Sequence, residues 1–71
     1  MNVDVGHRIR IRRTVLRMTQ GELADTLGIS QNHLSNMENG NRTISTEMLD
    51  RIAEVLQCRP EDLLNEKRRL A

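Results

Sequence analysis

Thr19-Gln20-Gly21-Glu22-Leu23-Ala24-Asp25-Thr26-Leu27-Gly28-Ile29-Ser30-Gln31-Asn32-His33-Leu34-Ser35-Asn36-Met37-Glu38-Asn39-Gly40 is the stretch that decides the fold. Thr19 is a good N-cap and Glu22 follows three residues later, the spacing at which each side chain satisfies the other's backbone N–H. This predicts a helix from about Gln20 to Leu27 with Leu23, Ala24 and Leu27 inward. Gly28 ends it, because a glycine takes a positive φ without steric cost. Ser30 caps a second helix from about Gln31 to Asn39, with Leu34 and Met37 inward, and Gly40 ends that one in the same way.

Two helices joined by so short a turn must cross steeply, so a small residue is needed where they touch. Ala24 supplies it, and Leu23, Leu27, Ile29, Leu34 and Met37 are placed to lock the pair onto a core. The pattern is a helix-turn-helix. Its second helix turns Gln31, Asn32, Ser35, Asn36 and Asn39 outward and carries no Lys or Arg; Glu38, its one acid, falls on the inner side. An ordinary solvated face carries mostly Glu and Lys. An amide both donates and accepts, and can pair bidentately with adenine N6 and N7 in the major groove, so this face suits base reading.

Working outward, a helix is expected from about Val5 to Arg17, with Val5, Ile9 and Leu16 on one side and Arg13 among them. Ile11 and Val15 form an i,i+4 apolar pair on a different side, suited to packing on the tail at Leu70 or to a partner surface. Asn39 to Arg42 reads as a loop. A fourth helix starts near Ser45 and runs to about Leu56, with Leu49, Ile52, Ala53 and Leu56 as its apolar stripe. Pro60 opens a short fifth helix to about Asn65, carrying Leu63 and Leu64. The expected fold class is therefore all-α, with five helices in one domain: a core over 5–65 and a charged tail over 66–71.

Composition narrows the function. The single cysteine, Cys58, excludes an internal disulfide and reads as a small core residue; His7 and His33 have no Cys partners and no zinc spacing. Without Phe, Tyr or Trp the core must be aliphatic, and no aromatic platform exists for stacking single-stranded bases. No nucleophile–base–orienter set, phosphate loop or metal motif is present, so neither an enzyme nor a cofactor is expected. No apolar run approaches a membrane span and no signal segment opens the chain, which points to the cytoplasm. Net charge is only +1, but residues 1–17 hold Arg8, Arg10, Arg12, Arg13 and Arg17 against Asp4 alone. Such asymmetry hints at a polyanion-facing side, although for Arg8, Arg10 and Arg12 a solvated face is favoured.

The stretch quoted above, with Leu49 … Ile52-Ala53-Glu54-Val55-Leu56 … Pro60-Glu61-Asp62-Leu63-Leu64, resembles the Cro/CI-type (XRE, lambda-repressor-like) helix-turn-helix family over residues 6–64. The resemblance implies a compact five-helix DNA-binding domain. It implies base contacts at Gln31, Asn32, Asn36 and Ser35. It implies phosphate contacts at Gln20, which also buttresses the first recognition residue, and at Asn41, Arg42 and Thr43. Arg13 and Glu38 match an internal ion pair of the family. Arg17 and Gln57 stand where the family often has glycine.

The resemblance further implies a cytoplasmic, nucleoid-associated regulator of a bacterium or phage, acting as a repressor and binding a near-palindromic operator as a homodimer. Leu63 and Leu64 are the candidate dimer surface. An antitoxin or a restriction-modification controller would use the same DNA-binding mode, with a toxin or regulatory protein as a further partner. A protein-interaction module that has lost DNA binding is the alternative of a different class.

Overall fold

The computed structural model describes residues 2–64, which form α1 (Asn2–Val15), α2 (Gln20–Leu27), α3 (Gln31–Glu38), α4 (Thr46–Val55) and α5 (Pro60–Leu64). Helix α1 packs on α3 and α5, α2 packs on α3 and α4, and α4 packs on α5. All five thus enclose one core. Ile9, Leu23, Leu27, Leu34, Met37, Ile52, Leu56 and Leu63 are fully buried there, with Val5, Ala24, Leu49 and Ala53 beside them. Leu16, Met18, Ile29, Ile44, Met48, Val55 and Cys58 close its edges. The core is aliphatic and sulfur-bearing, as a chain without aromatic residues requires.

The termini follow their local chemistry. Thr19, Ser30 and Ser45 cap α2, α3 and α4, each side chain accepting from the backbone N–H three residues on. Thr19 and Glu22 complete the reciprocal box. Helices α1 to α4 all end alike, with two backbone bonds around a left-handed residue. At α2 they are Ile29 N–H to Ala24 O and Gly28 N–H to Asp25 O; at α3, Asn41 N–H to Asn36 O and Gly40 N–H to Met37 O. Helices α1 and α4 repeat the pattern with Arg17 (φ 59°) and Gln57 (φ 60°) in the left-handed place. Helix α1 consequently stops at Val15, short of the expected Arg17, and it begins earlier, at Asn2.

Two further expectations change. Leu63, offered as dimer surface, is 2% exposed within the chain's own core, whereas Leu64 next to it is 53% exposed. In a helix of one turn, adjacent side chains diverge by about 100°, and α5 has only one inward direction. Arg8, Arg10 and Arg12 are not simply a solvated face. Arg12 donates to the carbonyls of Leu56 (2.9 Å) and Gln57 (3.0 Å) at the end of α4, and Arg8 donates to Leu63 O (3.3 Å) at the end of α5. Arg51 serves α2 likewise, donating to Leu27 O at 2.7 Å. Among the described residues these carbonyls have no partner within their own helices, and a cation is well placed at a helix C-terminus. Finally, Ile11 and Val15 are 49% and 64% exposed, and Leu70, their suggested cover, lies outside the described residues.

Candidate nucleic-acid interface

Helix α3 is fixed from behind by Glu38. Its side chain is fully buried and takes a two-pronged bond from Arg13: Nε to Oε2 at 2.8 Å and an Nη to Oε1 at 3.0 Å. The remaining Arg13 nitrogen donates to Met18 O at 3.0 Å, which ties the α1–α2 turn to the same pair. Arg10, one turn earlier on α1, brings Nε to 3.5 Å from Glu38 Oε1 and donates to Asn39 Oδ1 at 2.8 Å. These donors give the buried carboxylate the partners without which its burial would be costly.

The close approach of α1 and α3 has a steric condition as well. A β-carbon at Gly6 would lie 2.5 Å from the carbonyl oxygen of Glu38 and nearer still to that of Met37. Only glycine fits. Neither Gly6 nor the part played by Arg10 was singled out in the sequence. For Arg10 a signal existed: it precedes Arg13 by three residues and so shares its face of the helix.

From Glu38 the hydrogen bonds run outward. Gln20, the first residue of α2, donates Nε2 to Glu38 Oε1 at 3.1 Å, and Gln31, the first residue of α3, donates Nε2 to Gln20 Oε1 at 3.3 Å. Gln20 is thus held between the buried acid and the start of α3. Gln31 and Asn32 are exposed, and Ser35 and Asn36 are half-buried on the flank of the same helix. Asn41, Arg42 and Thr43 follow α3 and are exposed. The structure therefore brings the four candidate base-reading residues onto one short helix, with the candidate phosphate residues at its two ends. Asn39 differs from the others: its amide oxygen is already taken by Arg10.

A helix-turn-helix family model matches residues 9–63. The chain belongs to this family. Its five helices have the lambda-repressor-like arrangement. The DNA-binding domain of the P22 c2 repressor superposes with a TM-score of 0.83 at 34% identity, covering 93% of this chain and 88% of that one. The restriction-modification controller protein C.AhdI from Aeromonas hydrophila superposes with a TM-score of 0.81 at 30% identity, covering 86% and 92%. In sequence, the HTH-type transcriptional regulator DicA of Escherichia coli strain K12 is 40% identical over 63 residues, which are 89% of this chain and 47% of DicA. The chain spans about two fifths to a half of the length of the first curated relatives it matches.

Proposed function

We propose that this chain is a sequence-specific double-stranded DNA-binding transcription regulator, acting as a repressor and binding a near-palindromic operator as a homodimer. The observation that carries the proposal is the uncharged amide face of α3 – Gln31, Asn32 and Asn36, with Ser35 – braced through Gln20 on the buried Glu38. Such a face supplies paired donors and acceptors for base edges while a rigid scaffold holds them in place. Asn41, Arg42 and Thr43 are assigned to backbone phosphate, with Gln20 at the other end of the motif. Membership of the helix-turn-helix family and likeness to the P22 c2 repressor support this assignment.

Two recognition helices would enter successive major grooves about 34 Å apart on one face of the duplex. For the dimer surface, the exposed Leu64 is the candidate in place of the buried Leu63. Much of the basic charge is engaged within the protein: Arg8, Arg12, Arg13 and Arg51 serve its own carbonyls and its buried acid. The salt dependence should therefore be moderate, with about 4–8 counterions released per dimer. Control of a restriction-modification system is a second reading, supported by the likeness to C.AhdI over 92% of that controller.

Selection from a random duplex DNA library, with binding measured at two salt concentrations, tests the proposal. Recovery of a two-fold symmetric site with salt-dependent affinity is the expected result. No enrichment overturns it and leaves a protein-interaction module as the better description.

A further inference from the structure

Of the chain's asparagines only Asn39 is followed by glycine. A neighbour without a β-carbon lets its backbone nitrogen reach the asparagine side chain unhindered, so this pair is open to a reaction that needs no enzyme. The Gly40 nitrogen gives its proton to solvent and attacks Asn39 Cγ, and the new C–N bond closes a succinimide ring. The side-chain nitrogen takes up a proton and leaves as ammonia. One water then opens the ring at either carbonyl, giving aspartate or isoaspartate: a carboxylate in place of an amide.

Asn39 is exposed, yet the fold holds it out of the reactive geometry. Its ψ of −2° keeps the Gly40 nitrogen away from Cγ. Closing the ring takes a turn of roughly 120° about the Cα–C bond, set by the tetrahedral Cα. That turn breaks the helix ending, in which Gly40 N–H is bonded to Met37 O at 3.2 Å and Asn41 N–H to Asn36 O at 2.9 Å. The side chain is held as well. Asn39 Oδ1 accepts from Arg10 at 2.8 Å, and Arg10 Nε is itself drawn to 3.5 Å from Glu38 Oε1. Asn39 is thus latched from α1, 29 residues earlier in the chain.

We propose that Asn39 is a site of spontaneous deamidation latched by Arg10, and that the change switches the chain's DNA binding off. The reaction proceeds when the end of α3 frays, and Arg10 opposes the fraying with a charge-assisted bond. The product carboxylate stands directly before Asn41, Arg42 and Thr43, where a negative charge meets the phosphates assigned to that loop. This consequence rests on the DNA-binding function proposed above; the chemistry at Asn39 does not.

The test ages full-length wild type, Arg10→Met and Asn39→Gln in warm, mildly alkaline buffer and, in parallel, in concentrated urea. Mass spectrometry of fragments locates each amide-to-acid change, and binding is titrated on the duplex selected by fresh wild type. Arg10→Met leaves the Arg13–Glu38 pair in place. Wild type should convert at Asn39 ahead of every other asparagine, and at least about tenfold more slowly in buffer than in urea. Arg10→Met should convert about fivefold faster than wild type in buffer, the effect of one lost hydrogen bond, and at the wild-type rate in urea. Wild-type binding should fall in step with conversion, and Asn39→Asp made directly should bind at least about tenfold more weakly. Asn39→Gln should lose no binding with age.

An unchanged or slower rate in Arg10→Met, or an acceleration that persists in urea, overturns the latch. Where Arg10→Met does not fold, wild type decides: equal rates in buffer and urea overturn it. Wild-type affinity in Asn39→Asp overturns the switch. Failure of fresh wild type to select any site is a different outcome. It removes DNA binding itself and the switch with it, while the rates in buffer and urea still decide the latch.

Discussion

The backbone of Gly6 in α1 lies against the carbonyl oxygen of Glu38 at the end of α3, close enough that no β-carbon can stand between them. This contact sets the distance between the two helices, and with it the reach of Arg13 and Arg10 to the buried acid. Gly6→Ala should destabilise the domain by about 1–3 kcal/mol, because overpacking against backbone outweighs the better helix propensity of alanine. Gly21→Ala is the control. Its β-carbon would meet Gln31 Oε1 only at ordinary contact distance, so the helix should gain roughly 0.5 kcal/mol. Urea denaturation of the two variants checks the contrast; equal effects would remove the steric account of Gly6.

Arg17 and Gln57 occupy left-handed positions where the same helix ending uses Gly28 and Gly40 elsewhere in the chain. A side chain there costs about 1 kcal/mol in crowding, partly offset by the greater unfolded-state entropy of glycine. Arg17→Gly and Gln57→Gly should each stabilise by roughly 0.5 kcal/mol, and together about additively, since they end different helices. Thermal melts followed by circular dichroism read the change, and a fall in Tm for both variants would contradict it.

Removing Arg13 takes from Glu38 its principal partner in the core. Arg13→Ala should cost about 3–5 kcal/mol, much of the stability of so small a domain. An unaltered melting curve would falsify the structural role of the pair.

Substitutions on the two parts of the interface should differ in kind. Asn32→Ala should relax preference at its base pair by about 1–3 kcal/mol. Arg42→Ala should weaken binding to all sequences alike and lower the salt slope by about 1. Titrations of selected and scrambled duplexes at several salt concentrations separate the two. A loss confined to one base position in Arg42→Ala, or a uniform one in Asn32→Ala, would reverse the assignments.

Much of this was legible in the residues. Each of α2, α3 and α4 begins at a Thr or Ser whose side chain caps it, and the inward positions follow the 3.6-residue period. Glu38 reads as inward because it follows Met37 on the buried side of a short helix, and the amide character of α3 is plain in the sequence itself. The arginines of α1 were less legible. Their charge suggests solvent or a polyanion, but Arg8 and Arg12 meet carbonyls at the ends of α5 and α4, about half a hundred and more than forty residues away in sequence. Leu63 and Leu64 are chemically alike, and only the direction of α5 against α1 and α4 tells them apart.

The sequence alone thus determined what is local: where α2, α3 and α4 begin and end, which face of each is apolar, and which helix carries amides outward. Caps, periodicity and left-handed endings act within a few residues of chain, so they are written in adjacent letters. The tertiary structure decided what depends on pairs distant in the chain: that Gly6 must be bare, that arginines finish other helices, and that Glu38 reaches Gln31 through Gln20. Those contacts are set by the distances at which packed helices meet, and side-chain packing in three dimensions fixes these distances.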